Sequence, residues 1–94
     1  MIEQTLINEI SNAIIAYRQS ISRTNDQQEI EDYSTLAIIA EKILTAAKIN
    51  DVEKIKIGIF GFSRQVSDSY SSQPSEYRTL ANLILKLQKT VCKD

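Results

Sequence analysis

Val52-Glu-Lys-Ile-Lys-Ile-Gly-Ile-Phe-Gly-Phe62 decides the architecture, because it fits two templates at once. Ile55, Ile57 and Ile59 alternate as in a strand, and Gly58 with the β-branched residues around it favours that form. Val52, Ile55, Ile59 and Phe62 recur instead on one helix face. A strand here finds no partner in the rest of the chain, and a lone edge strand invites aggregation. The segment therefore reads as a short helix that ends at Gly61 and packs through Phe60 and Phe62. Beyond it runs Ser63-Arg-Gln-Val-Ser-Asp-Ser-Tyr-Ser-Ser-Gln-Pro-Ser75, expected as a Ser-rich loop. A loop of that length is uncommon in a compact domain and is more often functional or disordered than neutral.

Upstream, Asn50-Asp51 supplies a stop and then a cap. Before it, Ile30, Tyr33, Leu36, Ala37, Ala40, Ile43, Leu44 and Ala47 form a helical stripe over about 27–48, with acids crowding its start and Lys42 and Lys48 its later turns. Alanines at 40, 46 and 47 would let another helix approach closely. Arg23-Thr-Asn-Asp-Gln-Gln28 has no apolar residue, and Thr24, Asn25 and Asp26 are all plausible N-caps. From about 2 to 22, Ile2, Leu6, Ile10, Ala13, Ile14, Tyr17 and Ile21 hold helical spacing, and Ile7 and Ile15 widen the apolar face beside them. Downstream, Ser75 caps a last helix over 75–91, with Tyr77, Leu80, Ala81, Ile84, Leu87 and Val91 on its stripe. The expected fold is all-α: a single domain over 1–94, a small four-helix bundle of three long helices and one short.

Composition narrows the chemistry. A chain of 94 residues buries only roughly 60 to 65% of its unfolded surface, so its stability margin is modest. Its formal net charge of -1 removes the global basic field of a nucleic-acid binder. The chain has no His, the commonest general base and metal ligand, and its one cysteine, Cys92, can form no intramolecular disulfide or thiolate metal site. No apolar run approaches the length of a membrane span, Glu3 and Glu9 stand where a signal peptide would be apolar, and the cytoplasm is the expected compartment.

The local clusters point to binding more than to reaction. Asp26, Glu29, Glu31 and Asp32 suit a basic partner or a divalent metal, but they lack calcium-loop spacing, and a helix start attracts acids in any case. Gly58-Ile-Phe-Gly61 has neither phosphate-loop nor dinucleotide spacing. The serines of 63–75 have no base to activate them. Arg64, Gln65, Asp68, Tyr70 and Gln73, set among those serines, have the texture of a recognition loop, against the alternative of a plain connector. Lys86, Lys89 and Lys93, with Arg78 before them, make a basic ridge that lacks the interleaved aromatics of a nucleic-acid site. No cofactor or metal is expected, and no enzyme.

In size, mild acidity, helical content, absence of His and Ile-, Asn-, Ser- and Lys-rich texture, the whole chain resembles the small helical bacterial immunity proteins, or antitoxins, of contact-dependent growth inhibition. The resemblance rests on no diagnostic motif, so it carries over no functional residue. It implies a protein that binds a cognate toxin, such as a nuclease, and neutralises it. On that reading the partner-binding residues are Asp26, Glu29, Glu31, Asp32, Arg64, Gln65, Asp68, Tyr70 and Gln73. The alternatives are a nucleic-acid-associated regulator acting through the lysine ridge, and a self-associating helical adaptor such as a homodimer.

Overall fold

The computed structural model describes the backbone of residues 2–69 and 75–91 and the side chains of 2–65 and 76–91. The described residues form four helices: α1 Gln4–Ile21, α2 Gln27–Lys48, α3 Val52–Ser69 and α4 Ser75–Val91. The main contacts join α1 to α2, α2 to α3, α3 to α4 and α4 back to α1. This is a closed four-cornered bundle, in which each helix packs on its neighbours in sequence.

The alternation of direction can be read from residue pairs. Gly58 of α3 faces Ile43 of α2, and Gly61 faces Ile39, so α2 recedes as α3 advances. Phe62 stacks on Tyr77 near the start of α4, while Lys56 and Ile59 share a hollow with Gln88 near its end. Arg23, just beyond α1, is bound to Glu76 in the first turn of α4, and Glu3 and Glu9 lie beside Lys86 and Lys89 at the opposite end. Three antiparallel pairs around a ring of four make the fourth, α1 with α2, antiparallel as well.

Local chemistry sets the turns. The Asp26 carboxylate accepts hydrogen bonds from the Gln28 and Glu29 amides at 2.9 and 3.3 Å, so of the three expected caps the chain uses Asp26. At the end of α2, the Asn50 amide donates to the Ala47 carbonyl and the Asp51 amide to Ala46, the paired bonds of a Schellman motif. Asn50 takes φ 58° there, a left-handed conformation that Asn tolerates better than most residues. Asp51 then caps α3 through the Lys54 amide. Three residues thus close the α2–α3 hairpin, with the stop and the new cap where the sequence placed them.

The core follows the helical stripes. Ile10 and Tyr17 of α1, Leu36 and Ile43 of α2, Ile55 of α3, and Leu80 and Leu87 of α4 are fully enclosed. Burying each such Ile or Leu contributes about 1.5–3 kcal/mol. Tyr17 meets Tyr33 edge-on, with ring centroids 6.1 Å apart. Ala40, Ala46 and Ala47 are all buried, as their small size suggested. Arg18 and Glu41, joined at 2.6 Å, pin α1 to α2 at the surface.

Three expectations need correction. First, α3 is not short: it continues seven residues beyond Phe62, so 63–69 is helix and not loop. Gly61 keeps a negative φ and does not cap. Ile55, Ile59, Phe62 and then half-buried Gln65 stay on one face, and packing that face along α2 outweighs the weak helix propensity of the serines. Second, Phe60 is 67% exposed while Phe62 is buried, because residues two apart on a helix point in nearly opposite directions. Third, Ile15 does not extend the core: it is 54% exposed, although Ile7 is buried. Leu83, absent from the expected stripe of α4, is buried.

Candidate functional site

The expected contact residues divide by position and by occupation. Asp26 is engaged as the cap of α2. Glu29, half-buried one turn later, accepts a hydrogen bond from the Thr24 hydroxyl at 3.1 Å. Asp32, also half-buried, accepts from the Gln28 side-chain amide at 3.1 Å, while Glu31 is exposed and projects away from both. Three of the four acids therefore support the start of α2, and Glu31 offers its carboxylate most freely.

Arg64 is exposed and Gln65 half-buried, both in the last two turns of α3 and not in a loop. The register that sets Gly58 against Ile43 and Gly61 against Ile39 carries 64–68 alongside the turns from Asp32 to Leu36. The structure thus brings the acids and the end of α3 to the same end of the bundle. Among the described residues, no ion pair joins Arg64 to those acids. The side chain of Asp68, and Tyr70 and Gln73 entirely, lie outside the described residues, as do Cys92 and Lys93.

At the other end, Lys86 and Lys89 share their hollow with Glu3 and Glu9. The acids offset the positive field that a nucleic-acid ridge needs. Among the described residues, no group of three or more Cys, Asp or Glu side chains is placed to hold a metal ion. No described helix is long and apolar enough to cross a membrane.

The sequence reading missed a groove of ≈ 610 Å³ between α2 and α3. Its walls include Ile38, Ile49 and Ile57, which are 48%, 63% and 66% exposed. Gly58 and Ala46 also line it, and Lys42 and Lys54 stand along it. A signal was present in the sequence: Ile38, Lys42, Thr45 and Ile49 are spaced i, i+4, i+7 and i+11, a second stripe on α2 beside the core stripe. Glu41 also lines the groove, but its carboxylate is held by Arg18. That hydrogen bond, with the attraction between the charges adding to it and partial burial opposing, lowers the Glu41 pKa and raises that of Arg18.

Against known protein families, curated proteins and solved structures, the chain finds no match. Its function is therefore argued from its own surfaces. Two of them are fit for binding: an acidic end built on α2 and α3, and an apolar groove along the same two helices.

Proposed function

We propose that this chain is a non-enzymatic binding protein of the immunity type, which neutralises a cognate protein toxin by covering its basic surface. The observation that carries the reading is the gathering of Glu29, Glu31 and Asp32 with the last turns of α3 at one end of a bundle fastened on both sides of that end. Arg23 clamps both carboxylate oxygens of Glu76 there, at 2.9 and 3.1 Å, and Asp26 fixes the start of α2. An acidic surface with Glu31 exposed between half-buried Glu29 and Asp32 suits a nuclease, whose nucleic-acid site is necessarily basic. Charge complementarity of this kind speeds association and sharpens specificity.

The test is co-expression with the product of the neighbouring gene, followed by native mass spectrometry of whatever co-purifies. A stable complex with a protein that is toxic when expressed alone is the expected result. In that complex, the Glu29→Lys/Glu31→Lys/Asp32→Lys variant, with Asp26 kept to preserve the cap, should bind at least about tenfold more weakly while retaining its helical circular dichroism. Unchanged affinity removes the acidic end from the proposal, and recovery of the chain alone beside a harmless neighbour removes the toxin.

The regulator reading is less well supported, because Glu3 and Glu9 sit beside the two described lysines of the ridge. A gel shift at low salt with steep salt dependence would restore it.

A further inference from the structure

The groove between α2 and α3 does not belong to the acidic end, and the toxin-binding proposal leaves it without a role. Its residues were free to be polar, since Ile38, Ile49 and Ile57 add little to the core at 48%, 63% and 66% exposure. They are not scattered. Ile38 on α2 and Ile49 at its C-cap stand three turns apart, about 16 Å along the helix axis, and Ile57 faces them from α3 across the groove. Apolar anchors spaced over three turns along a trough between two helices are the receiving half of a helix-in-groove contact.

Charge identifies the occupant. Lys42 on the α2 side and Lys54 on the α3 side are exposed, and neither forms an ion pair with a described residue. Glu41, the one carboxylate in the lining, is already tied to Arg18 at 2.6 Å. A second copy of this chain fits poorly. In a two-fold interface the groove meets itself, so a lining whose free charges are both positive offers its copy no carboxylate to offset them.

We infer that the groove binds an amphipathic helix from another protein, about three turns long, with aliphatic residues seated between Ile38, Ile49 and Ile57 and carboxylates opposite Lys42 and Lys54. This surface is independent of the acidic end and stands whether or not that end binds a toxin.

The probe is a synthetic helical peptide with leucines at i, i+3, i+4 and i+7, glutamates flanking them and one tryptophan on the far face. A second peptide carries lysines in place of the glutamates. The chain itself has no tryptophan, so fluorescence anisotropy reports the peptide alone. Saturable binding of the acidic peptide is expected, with the lysine peptide at least about tenfold weaker. Amide shifts in NMR should concentrate on 38–49 and 54–58. Lys42→Glu/Lys54→Glu should reverse the preference between the peptides, and Ile57→Glu, at an exposed position, should abolish binding without unfolding the bundle. Failure of both peptides to bind overturns the inference, as does equal binding of the two or a shift map centred elsewhere. A concentration-dependent dimer dissolved by Ile57→Glu would overturn it in favour of a second copy.

Discussion

Gly58 and Gly61 lie one turn apart in α3, yet only one of them should gain stability when replaced by alanine. Alanine in place of glycine inside a helix gains about 1 kcal/mol from backbone propensity, and both positions have ordinary helical φ. At Gly61 the new methyl would find its nearest neighbour, the Ile39 Cγ2, at 4.0 Å, so the gain is kept. At Gly58 it would lie 2.5 Å from the Ile43 Cγ1, nearly 1 Å inside ordinary contact. Ile43 is wholly enclosed, and the atom that is struck belongs to the stem of its side chain and not to the flexible tip. Overpacking of this kind costs about 1–3 kcal/mol. Gly58→Ala should therefore be neutral to about 2 kcal/mol destabilised, and Gly61→Ala about 1 kcal/mol stabilised. Urea unfolding followed by circular dichroism measures both, with the slope expected to stay constant. In a domain of this size the melting temperatures should differ by at least about 4 °C. A Gly58→Ala protein as stable as Gly61→Ala would refute the close approach of α2 and α3. A double-mutant cycle with Ile43→Ala tests the cause, because removing the struck atom should make the two changes couple favourably by about 0.5–3 kcal/mol.

Other predictions address the turns and the surface pair. Asp26→Ala should cost about 1 kcal/mol of stability through the lost cap, whereas Asp26→Asn, which still accepts the two amide bonds, should cost only a few tenths; equal losses in thermal melts would mean that charge, not capping, matters there. Asn50→Ala should lose about 1 kcal/mol and Asn50→Gly little or none, since only the former is penalised at positive φ; equivalent urea midpoints would contradict the Schellman turn. Because Arg18 lowers the Glu41 pKa, that pair's stabilisation is present above the unfolded carboxylate pKa and is lost as pH falls through the lower folded one. Both side chains are nearly half exposed, which limits the effect to at most about 1 kcal/mol. Glu41→Gln should thus be less stable than the parent at neutral pH and indistinguishable from it in strong acid, and a difference that grows on acidification would reverse the assignment.

The acidic end shows how site and scaffold share residues. Asp26 was expected to face a partner, but its carboxylate is held by the backbone, and Glu29 and Asp32 each accept a local hydrogen bond. These residues were legible as a group because helix starts favour acids, and for the same reason much of their chemistry is spent on the helix itself. Arg64 and Gln65 were read as a loop pair from the serines around them, yet they belong to α3. Serine favours turns only when no packed face competes, and here the stripe through Ile59, Phe62 and Gln65 competes successfully.

The sequence by itself determined the all-α class, the four helices and the chemistry of the α2–α3 turn, because those depend on periodicity and on residues within a few positions of one another. Asp26, Asn50 and Asp51 act on amides and carbonyls at most five residues away, and a stripe such as Ile10, Ile14 and Tyr17 marks its own inner face. Only the tertiary structure decided how far α3 extends, that Ile15 and Phe60 stay in water, that Gly58 packs tightly against Ile43, and that a groove lies between α2 and α3. Each of these depends on where a neighbouring helix runs. A periodic sequence specifies the direction in which a helix buries its side chains, but the width of the buried face is set by the partners that flank it, and those are fixed only when the bundle closes.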